Sequence, residues 1–193
     1  GTRGDRRLGD GSMRDERAGF NPVHLYEYLA KARAKLLDWV RPLTLAQYTK
    51  EFPFGLKTLR DTLVEIPLSE WTYVQRLRGN EVPPWDERPL ARFYKTDFPP
   101  LERAWQEQAE ETRRTLREIS DWTRPLEYVA RSSDEPPVKI RTTTGGAAAQ
   151  LCFHEIHHRA QAMAMLRQLG VPAENLDYSL LMYERTELPP QAR

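Results

Sequence analysis

Apolar residues recur at the three- and four-residue spacing of an amphipathic helix in four long stretches of this chain. In the first, Leu25, Leu29, Ala32, Leu36, Trp39 and Val40 share a face, Asn21-Pro22 supplies a cap and a first-turn proline, and Arg41-Pro42 ends the run. The second extends from about Thr58 to Arg78, with Leu59, Leu63, Ile66, Trp71, Val74 and Leu77 as its apolar set and Gly79 as its stop. Pro67 falls inside it and predicts a kink or break near Glu65 and Ile66, because proline removes a backbone hydrogen bond and crowds the preceding turn. The third opens at Pro99-Pro100 and carries Leu101, Trp105, Gln108, Thr112, Leu116, Ile119 and Trp122 as one stripe. Its other face, with Glu107, Glu110, Glu111, Arg113, Arg114 and Arg117, reads as a solvated ion-pair surface. The fourth follows Thr144-Gly145-Gly146, read as the turn into it, and stops at Gly170 ahead of Val171-Pro172. Along it Leu151, His154, His158, Ala162, Met165 and Leu169 fall on one stripe.

Between the third and fourth helices the period drops to two, at Leu126, Tyr128 and Ala130 and again at Val138 and Ile140, with Ser-Ser-Asp-Glu-Pro-Pro between. That pattern predicts a small β-hairpin or extended excursion. The stretch from Asn80 to Phe98 is too long for a tight turn and too irregular for a strand, and loops of that kind often carry function. A short last helix is expected from about Asp177 to Arg185. The expected fold is all-α, a four-helix bundle with one small β excursion, and bundle interiors are common places for metal sites. Residues 1–19, rich in Gly, Arg and Asp, are expected to form a disordered tail, and residues 20–193 a single helical domain.

Composition narrows the function classes. The chain has 193 residues, 39% of them hydrophobic, which suits one core, and a net charge of +1, which provides no field to attract nucleic acid. No nucleic-acid partner is therefore expected. Its single cysteine, Cys152, allows no internal disulfide and fits a reducing, cytoplasmic setting. No apolar run approaches the roughly 20 residues of a membrane helix, and no hydrophobic leader is seen, so neither membrane insertion nor export is expected.

The candidate chemistry lies in His154-Glu155-Ile156-His157-His158-Arg159-Ala160-Gln161. Residues four apart lie one above the other on a helix, so the imidazoles of His154 and His158 can reach a single metal ion. An imidazole facing an apolar interior needs partners for its nitrogens, and coordination satisfies one while fixing the other. Two core histidines bonded to side chains or backbone are the competing reading, which spacing alone leaves open. His157 reads as a group behind the pair or as a surface contact, and His24 as structural or exposed. Cys152 reads as a small core residue, and Trp85 in the long loop as a cover for the pocket.

The block Phe54-Gly55-Leu56-Lys57-Thr58-Leu59-Arg60-Asp61-Thr62-Leu63-Val64-Glu65-Ile66, followed by Trp71 and Arg76-Leu77-Arg78-Gly79, together with the His154–Gln161 block and Leu166-Arg167-Gln168-Leu169-Gly170, resembles the DinB / YfiT-like family of metal-associated proteins. The resemblance spans Asn21 to Arg185. It implies a four-helix bundle holding one divalent ion with three histidines, two from the fourth helix and one from the second. His154 and His158 match the fourth-helix pair, but the second-helix position is Glu65. The implied set is thus two histidines and one carboxylate, a harder site suited to zinc, manganese or iron, with nickel also among the candidates. On an ideal helical wheel Glu70 lies near the centre of the apolar stripe while Glu65 points to one side, so Glu70 stands as the alternative carboxylate ligand or as a partner holding a histidine. The resemblance further implies a small-molecule substrate, a homodimer, and an enzyme that activates a low-molecular-weight thiol or water, as a thiol S-transferase in detoxification or stress response or as a metal-dependent hydrolase. A non-catalytic, stress-associated metal-binding module is the competing reading. Arg159 and Gln161 are read as pocket-edge or helix-packing groups.

Overall fold

The computed structural model describes residues 18–191. Most of the expected N-terminal tail, residues 1–17, lies outside the described residues. Asn21 caps helix α1 (Pro22–Val40) by accepting the Val23 amide at 2.9 Å, and Pro22 occupies the first turn, as its fixed φ favours. Thr44 and Gln47 then close a reciprocal capping box around the one-turn helix α2 (Leu45–Tyr48), which is too short to leave a periodic signature in the sequence.

Helix α3 (Leu59–Leu77) begins where Thr58 accepts the Asp61 amide at 3.0 Å. It continues through Pro67 without a break. The proline leaves one carbonyl without its usual partner, but Leu63, Ile66 and Leu68 around it are all essentially fully buried, and that burial outweighs one missing hydrogen bond. The long connection after α3 forms two 3-10 segments, Trp85–Glu87 and Pro89–Lys95, of which the second buries Leu90 and Phe93. Helix α4 (Phe98–Glu118) follows, with Leu101, Trp105, Gln108, Thr112 and Leu116 buried as the stripe predicts.

Strands β1 (Pro125–Ala130) and β2 (Val138–Thr143) pair antiparallel from Pro125 opposite Thr143 to Ala130 opposite Val138. β2 runs directly into α5 (Thr144–Gln168), with Thr143 as last strand residue and helix cap in one. Gly145 and Gly146 therefore sit inside the first helical turn rather than ahead of it. Their role is close approach: a Cβ at Gly145 would stand 2.7 Å from the Trp122 carbonyl oxygen, and one at Gly146 would collide with the Thr142 hydroxyl. The final helix α6 (Tyr178–Met182) is shorter than expected, and the Tyr178 hydroxyl sits 2.6 Å from His24 Nε2, tying α6 to α1.

The four long helices pack as a closed square: α1 on α4, α4 on α3, α3 on α5 and α5 on α1. The α3–α5 pair is the most extensive of these contacts. Because α5 touches both α1 and α3, it is buried on two flanks, wider than the single stripe predicted. Toward α3, Met165 accepts a hydrogen bond from the Thr62 hydroxyl; toward α1, Glu155 and Arg159 meet Arg33 and the Tyr28 hydroxyl.

A charged cluster occupies the bundle interior. Arg33 of α1 donates to Glu155 of α5 at 2.6 and 3.0 Å and stands 3.5 Å from Glu70 of α3, so one guanidinium faces two carboxylates. Neither Glu70 oxygen has a hydrogen-bond partner, although Tyr26 and Thr112 lie beside it. Burial pushes the Glu70 carboxyl up to about 7, with Arg33 only partly opposing the shift. A carboxyl whose folded pKa is raised contributes stability in full below its ordinary value of 4.5 and loses it as pH rises toward 7. Glu70→Gln, which cannot ionise, is therefore expected to gain stability relative to wild type between pH 5 and pH 8 in urea denaturation. An unchanged difference at the two pH values would contradict this assignment.

Candidate metal centre

Glu65 projects from the end of the second turn of α3, and His154 and His158 project from successive turns of α5, across the seam where the two helices pack. One donor atom from each lies within 4.8 Å of the other two. The His154 Nε2 to Glu65 Oε1 separation is 3.4 Å. Two donors each bound at about 2.0–2.2 Å to one ion in tetrahedral geometry stand roughly 3.3–3.6 Å apart, so this pair is already at ligand spacing. The imidazole centroids are 4.5 Å apart with planes at 69°, the consequence of a four-residue separation on one helix face. Imidazole and carboxylate donors suit a divalent first-row ion, and three protein ligands leave coordination positions open. The residues present thus fit the group that the sequence implies.

Two further residues orient this trio. The ring nitrogen Nδ1 of His158 lies 2.8 Å from Gln161 Oε1, so Nδ1–H donates to the amide and leaves Nε2 as the free lone pair. Burial lowers the His158 pKa, which keeps the ring neutral and ready to coordinate. Gln161 is braced in turn by Gly55, whose φ of +57° and lack of a side chain let the loop close over it; a Cβ there would stand 3.3 Å from Gln161 Cδ. On the opposite helix the Tyr94 hydroxyl donates to Glu65 Oε2 at 2.9 Å, leaving Oε1 directed at His154. Burial, and then the Glu65 charge, hold the Tyr94 phenol well above its usual pKa, so it remains a donor.

The seam is partly open. The side chains of His154 and Glu65 are 17% and 19% exposed, enough for a small molecule to reach them. A cleft of ≈ 460 Å³ adjoins Glu65, walled by Leu56, Asp61, Trp85 and Tyr94. Trp85 thus borders the pocket, in keeping with its place in the long loop. Burial raises the Asp61 carboxyl above its ordinary pKa, with Arg60 partly opposing.

Glu70 and His157 lie outside the trio. Glu70 occupies the centre of the bundle beside Arg33, as the helical wheel indicates for that position, whereas Glu65 lies to the side, where α5 meets α3. His157 is exposed and sets its ring edge-on to that of His158 at 4.9 Å. Cys152 is buried and its thiol is pushed up to about 12, an unreactive core group. Arg159 packs against α1 rather than at the pocket edge. Tyr94 escaped the sequence reading because a 3-10 segment has no long period; Leu90 and Phe93, three apart and both buried, were the one signal that this loop docks on the bundle.

Comparison with curated proteins finds no match. Comparison with protein families finds the DinB family over residues 13–191, a span that includes the Phe54–Ile66 and His154–Gln161 blocks and every residue of the trio. On that match, the chain belongs to the DinB family.

Proposed function

We propose that this protein binds one divalent metal ion through Glu65, His154 and His158 and activates a small thiol or water for attack on an electrophilic small molecule, as a thiol S-transferase in detoxification or stress response. The observation that carries the reading is the meeting of three donors from two helices beside an accessible cleft. Structural sites are closed by four protein ligands, whereas three ligands at an open seam leave room for a substrate. A divalent ion held there supplies Lewis acidity, lowering the pKa of a thiol or water. The chain's own residues do the rest. Gln161 fixes the His158 tautomer, Tyr94 fixes the Glu65 rotamer, Trp85 and Leu56 line one side of the cleft with apolar surface, and Asp61 offers a carboxylate at its wall to take up a proton.

A metal-dependent hydrolase is a close variant, favoured by Glu65: a carboxylate in place of a third imidazole makes the site harder and gains less from sulfur. The non-catalytic reading is a stress-associated metal-binding module. A cytoplasmic location and a homodimer belong to the same proposal.

Elemental analysis of purified protein is expected to find about one divalent ion per chain, lost in Glu65→Ala, His154→Ala and His158→Ala. Equal metal in wild type and His154→Ala would remove the site. Metal-loaded protein is expected to consume a low-molecular-weight thiol in the presence of an electrophile; unchanged thiol together with no hydrolysis would leave the non-catalytic module. Tyr94→Phe and Gln161→Leu are each expected to weaken metal affinity about 10–100-fold while far-UV circular dichroism stays unchanged. Affinities equal to wild type would show that these two hydrogen bonds do not position the ligands.

A further inference from the structure

Two arginines, Arg76 in the last turn of α3 and Arg88 just ahead of the second 3-10 segment, are buried without an ion pair among the described residues. Arg76 is 8% exposed and Arg88 9%. Their situations differ. Arg88 donates from Nε to the Pro83 carbonyl at 3.0 Å and from Nη1 to the Thr72 hydroxyl at 3.1 Å, with Trp85 against its face. Arg76 has no such acceptors. Its guanidinium stacks on the Tyr128 ring at 3.7 Å, with Tyr73 at 5.7 Å, which satisfies the face of the ion but none of its in-plane N–H groups. Its Nε is buried with no hydrogen-bond partner.

A buried cation without an anion is costly, and here a second cation stands nearby. Burial lowers the pKa of both arginines, and the charge of Arg76 lowers that of Arg88 further. Arg76 also forms part of the wall of a cavity of ≈ 390 Å³ between the end of α3, the loop at 79–83 and β1. The cavity's other charged groups are Glu81, Glu127 and Arg131. Glu127 is committed to Lys139 and Arg141 at 3.3 and 2.9 Å, and Glu81 is exposed at the rim without an ion pair to Arg76. The cavity is therefore walled by a planar fork of donors that has no protein acceptor among the described residues: the Arg76 Nε is enclosed, its Nη groups reach solvent, and Arg131 flanks it. Such a fork matches the paired oxygens of a carboxylate or phosphate.

We propose that this cavity is a binding site for a small molecule bearing an oxyanion, carboxylate or phosphate, held by the guanidinium edge of Arg76. It is separate from the metal trio and does not depend on it. The test is thermal unfolding of metal-free protein titrated with inorganic phosphate and, in parallel, with benzoate, at ionic strength held constant with sodium chloride. A saturable rise in Tm with at least one of the two is expected, and the probe that gives it assigns phosphate or carboxylate as the preferred group. The rise is expected to vanish in Arg76→Met and to persist in Arg117→Gln, an exposed charge on α4 outside the cavity. No saturable rise with either probe, or the same rise in Arg76→Met, would overturn the proposal. Should Arg76→Met fail to fold, Arg76→Lys keeps the charge without the fork and is expected to bind about tenfold more weakly; equal affinity would overturn the proposal as well.

Discussion

Helices α3 and α5 pack against each other more extensively than any other pair, and that contact sets how far the Glu65 carboxylate stands from the two imidazoles. A donor set assembled within one helix would depend only on helical geometry, but this one needs a second helix at a fixed distance and rotation. The bundle fixes both. Arg33, reaching from α1, bonds Glu155 and faces Glu70, one residue beyond His154 on α5 and five beyond Glu65 on α3. The same two helices are thus held from the interior by charge and at the seam by the docking of the loop that carries Tyr94. Removing Arg33 would leave the Glu155 carboxylate buried without its partner, and breaking a buried pair in this way typically costs about 3–5 kcal/mol.

The site's position follows from this packing. Glu70, central and fully enclosed, meets a guanidinium; Glu65, at the margin, meets histidines and a cleft. Burial that would strand a carboxylate at the centre is relaxed at the seam, where solvent and small molecules have access. Hydrogen bonds from Tyr94 to Glu65 and from His158 to Gln161 then limit the rotamers of two of the three ligand side chains, lowering the entropy lost on metal binding.

Much of the fold was legible because its cues are local. Asn21, Thr58 and Gly79 mark helix ends by their own backbone chemistry, and alternation at Leu126, Tyr128, Val138 and Ile140 marks the hairpin. The four-residue spacing of His154 and His158 was legible for the same reason. Pro67 does not break the helix, since its effect there depends on how strongly the surrounding turns are buried, which is a tertiary property. The second buried flank of α5 was hidden because Glu155 and Arg159 look like surface residues until Arg33 and Tyr28 are placed against them. Tyr94 and Gly55 were hidden because each acts on a residue distant in sequence, Glu65 and Gln161 respectively.

The central claim is that one ion takes its nitrogen donors from α5 and its oxygen donor from α3. X-ray absorption at the metal edge of zinc-loaded protein reads those donors directly. The account predicts a nitrogen and oxygen shell with the outer-shell scattering of two imidazoles, reduced to one imidazole in His158→Ala. A spectrum with a sulfur donor, or with fewer than two imidazoles in the wild type, would contradict it.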